Sequence, residues 1–226
     1  MHDILMEICR EYFFRDSKEN VMNSINNNSI PEKKIRVDVG GGKLDPDKIA
    51  RYKRYIGESY NSSDYFVVEL TPLPGVSVVC DITQGLPFKN GSVDELICVH
   101  VLEHIADLKG IMKELHRVLK SGGLLRIWVP HCFSPTAFGD STHVRFFTFE
   151  TLTQFGKDNQ ASYYYDFHFD FIGSQMQIFR RWYKSNLFDK FLEKLINLNQ
   201  RKGERFLKIL PYKEWEVYSE LRKGEI

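Results

Sequence analysis

Ile4, Leu5, Ile8, Cys9 and Tyr12 recur at three-to-four-residue spacing, which predicts an amphipathic helix at the start of the chain. Residues 17–34 then turn polar and asparagine-rich and predict a connector. From Ile35 the pattern alternates between short apolar runs and helical stripes. Runs at 35–39, 65–70, 76–80, 95–99 and 124–129 predict five strands. Between the first two, 45–57 begins with Asp45 as a cap and Pro46 at the first helical position, and closes on Gly57. Leu108, Ile111, Leu115, Val118 and Leu119 mark one face of a second helix, expected to end at Gly122-Gly123. An aromatic alternation, Tyr163, Tyr165, Phe167, Phe169 and Phe171, predicts a sixth strand, and 215–221 a seventh. The stretch 187–210 reads as one amphipathic helical insert.

Strands joined by helical crossovers imply an α/β fold with a mostly parallel, doubly wound sheet and helices on both faces. The expected organisation is an N-terminal helical arm and connector over 1–34, followed by one Rossmann-like, seven-stranded domain over 35–226. Within it, 131–210 would form a cover over one side of the domain's site. The irregular stretch after Pro130 is long enough to expect a functional role, with Thr148 the expected cap of a helix holding Leu152 and Phe155.

At 226 residues one core is expected, and 42% hydrophobic with 27% charged residues is the composition of a soluble protein. No apolar run approaches the roughly eighteen residues of a membrane span, and the N-terminus lacks a signal-peptide pattern. Cys9, Cys80, Cys98 and Cys132 are too scattered for a disulfide framework or zinc cage, so reduced thiols in the cytoplasm are expected. A net charge of +1 offers no footprint for nucleic acid and favours a small acceptor.

In a doubly wound sheet ligands gather at the carboxyl ends of the strands. There stand Asp38-Val39-Gly40-Gly41-Gly42 after the first strand, Glu69 at the end of the second and Asp81 after the third. Glycines permit a tight turn and close approach of a ligand to backbone N–H groups. Asp45 stands where G-x-G-x-x-G needs its last glycine, and Lys43 does not complete a phosphate loop, so dinucleotides and nucleoside triphosphates are disfavoured. A carboxylate such as Glu69 suits a ribose diol, and Asp81 suits an exocyclic amine. Together they describe an adenosine site.

The chain here resembles the class I S-adenosylmethionine-dependent methyltransferases. Asp38–Gly42 matches their acidic-x-Gly-x-Gly turn. Leu86-Pro87-Phe88, Ser92-Val93-Asp94, Val101-Leu102-Glu103-His104 and Arg117–Gly123 follow in the family's order, over about 35–130. The resemblance implies S-adenosyl-L-methionine as cofactor and S-adenosyl-L-homocysteine as product. It implies Gly40, Gly41 and Gly42 near the methionine part, Glu69 and Leu70 at the ribose, Asp81 and Ile82 at the adenine, and Val99 and His100 beside the sulfonium. The long gap before Glu69 leaves Asp64 as another claimant for the ribose. The loop Asp140-x-x-His143-x-Arg145-x-Phe147-Thr148 is similar to a segment of small methyltransferases found among sugar and polysaccharide genes.

These features imply methyl transfer to a hydroxyl of a small molecule or sugar precursor, with His143 or His131 as the base, since an imidazole titrates near neutrality. A non-catalytic cofactor-binding module is the alternative. A third reading takes His100-x-x-Glu103-His104 as a zinc hydrolase motif, although the segment begins at a strand end and not inside a long helix, so no resident metal is expected. The insert's apolar face, with Arg180, Arg181, Lys184 and Lys190 nearby, is expected to bury within the monomer, with a membrane surface or a second copy in a homodimer as alternatives.

Overall fold

The computed structural model describes residues 34–43, 46–178, 187–207 and 214–224. The predicted N-terminal helix, Cys9, Asp45, Arg180, Arg181, Lys184 and residues 208–210 lie outside them. Strands β1 (Arg36–Val39), β2 (Tyr65–Glu69), β3 (Val78–Val79), β4 (Val93–Val99), β5 (Leu119–Pro130), β6 (Phe169–Ile178) and β7 (Trp215–Lys223) form one sheet in the order β3-β2-β1-β4-β5-β7-β6. Neighbours from β3 to β5 are parallel, and β7 runs antiparallel to both β5 and β6. The chain builds outward from β1 to β3 and then returns to lay β4 on the other side of β1. The switch point between β1 and β4 is where such sheets open a crevice for ligands.

Each face is covered by a helix whose stripe matches it. Helix α1 (Pro46–Ile56) closes on Gly57, whose N–H donates to Lys53 O (2.9 Å). It packs Tyr52 and Tyr55 with Tyr60, Tyr65, Ile97, Val99 and Trp128. Helix α2 (Leu108–Val118), capped by Asp107, buries Leu108, Ile111, Met112, Leu115 and Val118 on the opposite face, against Val37, Val39, Leu96, Leu125 and Ile127. Each such side chain contributes roughly 1.5–3 kcal/mol, so a charge on that stripe would be strongly destabilising.

Four elements depart from their sequence expectation. Helix α2 ends at Val118, and Gly122-Gly123 sit inside an irregular start of β5, because Leu119 is already extended and paired with Val93. A Cβ on Gly123 would meet the Lys120 carbonyl at 2.8 Å, which explains the glycine without a helix end. The aromatic strand begins only at Phe169: Ser162–Tyr164 is a 3-10 turn with Tyr163 and Tyr164 exposed, while Phe167 and Phe169 enter the core beside Phe155. Thr148 caps no helix; its N–H donates to Thr151 Oγ1 (3.0 Å), and Leu152–Phe155 is a 3-10 turn.

The helical insert, fourth, is two helices, α4 (Leu187–Asn197) and α5 (Gln200–Leu207); a short helix α3 (Pro135–Gly139) precedes them in the loop after β5. Asn199 breaks the insert and caps Lys202 N–H (3.0 Å). The insert shields the edge strand. Ile178 N–H donates to Glu193 Oε1 (2.8 Å), Met176 N–H to Asn197 Oδ1 (2.8 Å), and Gln200 Nε2 to Ser174 O (2.6 Å). Side chains thus satisfy backbone groups that an open edge would expose. Leu192, Ile196 and Leu207 bury against Met176, Ile178 and Trp215, while Phe188, Phe191 and Leu195 stay exposed. No helix among the described residues is long and apolar enough to cross a membrane.

Candidate active site

At the carboxyl end of β1 the chain folds back over β2. Gly40 and Gly41 N–H both donate to Val68 O (2.8 and 3.3 Å). Gly40 and Gly42 are left-handed, with φ of 66° and 61°. The three glycines serve different ends. A Cβ at Gly40 would meet Val101 Cγ2 at 2.5 Å, and one at Gly41 would meet Asp38 Oδ2 at 2.5 Å and Val67 Cγ1 at 2.7 Å. At Gly42 only Glu69 Oε2 lies within 4 Å, so this glycine faces open space.

Asp38 does not join the exposed carboxylates expected at the strand ends. It is fully buried beneath the turn, with Lys48 Nζ at 2.8 Å from Oδ2 and Tyr52 OH donating to Oδ1 at 2.9 Å. Burial raises its pKa, against the opposing pull of Lys48. It shapes the turn from below and cannot touch a ligand.

Glu69 stands beside the turn. Its Oε2 accepts Gly42 N–H (2.7 Å) and its Oε1 accepts Leu70 N–H (2.7 Å). A carboxylate has about four lone-pair positions, so two remain for hydroxyls. Leu70 is largely exposed next to it. Asp81 caps the 3-10 turn Ile82–Gln84 through Oδ1, which accepts from Thr83 N–H (2.9 Å) and Oγ1 (2.7 Å), leaving Oδ2 outward. Those hydrogen bonds lower its pKa and keep it ionised. Ile82 packs its side chain on the core. Asp64 lies at the opposite end of β2 from Glu69 and faces Arg36 at 3.7 Å, away from the turn.

The end of β4 carries the strongest local constraint. Val99 is buried, and His100 after it has φ 55°, the sole non-glycine residue with positive φ among those described. Its Nδ1 lies 3.2 Å from Glu103 Oε1 and its Nε2 3.1 Å from Glu216 Oε2. Tyr55 OH donates to the same Glu216 oxygen (2.9 Å). Burial alone would push the imidazole pKa down, but the two carboxylates outweigh it and raise the value to about 9, so the ring is cationic at neutral pH. The sequence reading missed Glu216 and Tyr55. The available signal was an acid directly between Trp215 and Val217 in β7, where a carboxylate is buried only when paired.

This arrangement removes the reading in which His100 and His104 share a metal. Both ring nitrogens of His100 face carboxylates, and the motif forms a strand end and a 3-10 turn rather than a helix. His104 turns instead toward His143, with ring centroids 4.7 Å apart. His143 is held by its Nδ1, 3.1 Å from Ala137 O, and its Nε2 lies 4.0 Å from Glu103 Oε1. His131 is fully buried; its Nδ1 accepts Phe133 N–H (3.1 Å) and its Nε2 lies 2.8 Å from Glu204 Oε1. With both nitrogens committed it pins α5 to the loop and is unsuited to the base role expected of it. A cavity of about 390 Å³, lined by Arg54, Tyr55, Gln175, Gln177, Lys194 and Glu216 among others, abuts the same Glu216.

The sheet order, the glycine turn and the acidic strand ends define a class I methyltransferase fold. Residues 39–127 match the methyltransferase domain family. That match covers under half of the chain and marks the 39–127 segment as similar to methyltransferase domains. Cycloartenol-C-24-methyltransferase of Arabidopsis thaliana is 32% identical over 100 residues, covering 41% of this chain and 30% of that protein. The chain therefore spans under a third of the length of the curated relative it matches. An S-adenosylmethionine-dependent methyltransferase of Archaeoglobus fulgidus shares 15% identity over 99% of this chain and 95% of its own, with a TM-score of 0.50. A chain from the complex of the Haloferax volcanii Trm112 methyltransferase activator with a methyltransferase shares 14% identity over 86% of this chain and 84% of its own, also at 0.50. At these identities the two structures speak to the fold.

Proposed function

We propose that this chain transfers the methyl group of S-adenosylmethionine to a hydroxyl of a small molecule or sugar precursor. The observation that carries the reading is the Gly42–Glu69 junction: an open left-handed glycine joined at 2.7 Å to a carboxylate with lone pairs to spare. It suits the ribose edge of an adenosine, with Asp81 and Ile82 on the adenine side and the Val99–His100 end of β4 toward the sulfonium. When bound, the cofactor supplies a sulfonium methyl group poised for in-line displacement. The residues of this chain orient the partners and deal with the acceptor's proton. His143 is suited to receive that proton, because donation of its Nδ1 hydrogen to Ala137 O leaves a lone pair on Nε2.

The cavity beside Glu216 mixes Met176 and Ile178 with guanidinium, amide and ammonium groups, and the latter favour a hydroxylated acceptor over a sterol because they would lose water without replacement against a hydrocarbon. None of Cys80, Cys98 and Cys132 forms a disulfide, which fits a cytoplasmic setting. The deciding experiment supplies S-adenosylmethionine with a panel of hydroxylated acceptors and measures S-adenosylhomocysteine together with methylated product. Cofactor binding without product from any acceptor would overturn the catalytic reading in favour of a binding module.

A further inference from the structure

Glu103, His104 and His143 each offer a ligand atom within 4.8 Å of the other two. The two segments that supply them are fastened together: Val144 and Arg145 N–H both donate to Glu103 O (2.9 and 3.1 Å), and Arg145 Nε donates to Ile105 O (2.9 Å). Both imidazoles are set in one tautomer. Thr142 Oγ1 gives its proton to Asp140 Oδ1 (2.6 Å), so at 2.9 Å from His104 Nδ1 it accepts that ring's proton. His143 Nδ1 likewise faces the acceptor Ala137 O at 3.1 Å. Each ring is left with its lone pair on Nε2. Here the Thr142 hydroxyl and the Ala137 carbonyl hold the two Nδ1–H groups, as outer partners do for histidines that bind a metal.

Glu103 supplies an independent observation. It is 1% exposed, yet Oε2 has no hydrogen-bond partner among the described residues and Oε1 meets only imidazole edges. A buried carboxylate oxygen without a donor is costly unless something cationic meets it. His100, committed to Glu103 and Glu216, answers one oxygen and leaves the other.

We propose that Glu103, His104 and His143 bind a divalent first-row transition ion, zinc by default. Two neutral imidazoles and one carboxylate favour such an ion over magnesium or calcium, which prefer all-oxygen sites. Ligand atoms around a tetrahedral ion at about 2.1 Å stand roughly 3.4 Å apart, so the three side chains close by about an ångström. His104 is exposed, which leaves a coordination position open toward solvent. The site does not rest on the methyl-transfer reading, but it competes with the base role proposed for His143, since an ion seated on Nε2 occupies the lone pair that would take the proton.

The test uses untagged full-length protein, stripped with a chelator and titrated with Co²⁺ as a visible probe, with Zn²⁺ as competitor. One equivalent of Co²⁺ should bind with ligand-field absorption and be displaced by Zn²⁺. His104→Ala, a surface change that leaves the melting temperature of the stripped protein unaltered, should weaken binding at least about tenfold, because even outer-layer losses cost that much. Glu103→Gln should do the same. No saturable uptake, or equal affinity in His104→Ala, overturns the site. S-adenosylmethionine affinity measured on the same samples keeps the readings apart: its absence would sink the methyltransferase reading and leave the ion site standing.

Discussion

His100 at the end of β4 and Glu216 near the start of β7 meet through Nε2 and Oε2 at 3.1 Å, across 116 residues of sequence. Because Glu103 holds the other ring nitrogen, a cationic imidazole bridges two buried carboxylates, and the left-handed backbone at His100 is held from both sides. Removing Glu216 leaves the buried His100 ring with one carboxylate in place of two and strips Tyr55 OH of its acceptor. Glu216→Leu should therefore destabilise the domain by about 3–5 kcal/mol in chemical denaturation. Unchanged stability would mean that the clamp is not structural.

Glu69→Gln keeps the side chain's shape but replaces one acceptor oxygen with an NH₂ group facing a backbone N–H. Calorimetric titration with S-adenosylmethionine should show at least a tenfold rise in Kd, equivalent to the roughly 1.5–3 kcal/mol of hydrogen bonds to a charged group. An unaltered Kd would move the ribose ligand elsewhere.

His143→Ala should lower turnover by about 10²- to 10⁴-fold, the span of a lost proton-transfer group. Cofactor affinity should stay within a factor of about three, since His143 lies in the loop after β5 and is not among the strand-end residues proposed to hold the cofactor. Persistent turnover would remove His143 from the chemistry, whether as base or as ligand.

Burial lowers the pKa of His131 despite Glu204 beside it. The folded state thus keeps the ring neutral while the unfolded chain takes up a proton below about pH 6.5. This contribution to stability is present above the unfolded value and is lost as pH falls through the depressed folded one. His131→Gln lacks the titration. Urea denaturation at pH 7.5 and 5.5 should show wild type more stable at 7.5 and the gap narrowing at 5.5; a constant gap would contradict it.

The fold was legible where residues repeat with a period. The runs that became β1, β2 and β4 and the α2 stripe could be read directly, because a side chain facing a core must recur every two or every three to four residues. The aromatic run from Tyr163 misled because five rings in alternation satisfy the strand pattern, whereas core space beside Phe155 takes only the later ones. The insert read as one helix because Leu187 to Leu207 keeps its apolar spacing through the break that Asn199 imposes.

In the site, the motif positions around Gly42, Glu69 and Asp81 were legible from strand-end logic. The partnerships were not: Asp38 with Lys48, His100 with Glu216 and His104 with His143 join residues 10, 116 and 39 positions apart, and only the tertiary fold brings them together. Asp38 shows the limit most plainly, since a carboxylate at a strand end looks the same in sequence whether it faces a ligand or a buried lysine.

The insertion of β7 between β5 and β6 has a kinetic corollary. Strand β6 pairs with β7 and not with β5, so a ribosome must release the chain through Lys223 before the sheet's second half can close. Until then β5 presents a bare edge, and His100 waits for the glutamate that steadies it. Nascent chains halted short of Trp215 would carry the glycine turn and Glu69 on an unfinished sheet, prone to pairing with whatever strand arrives first.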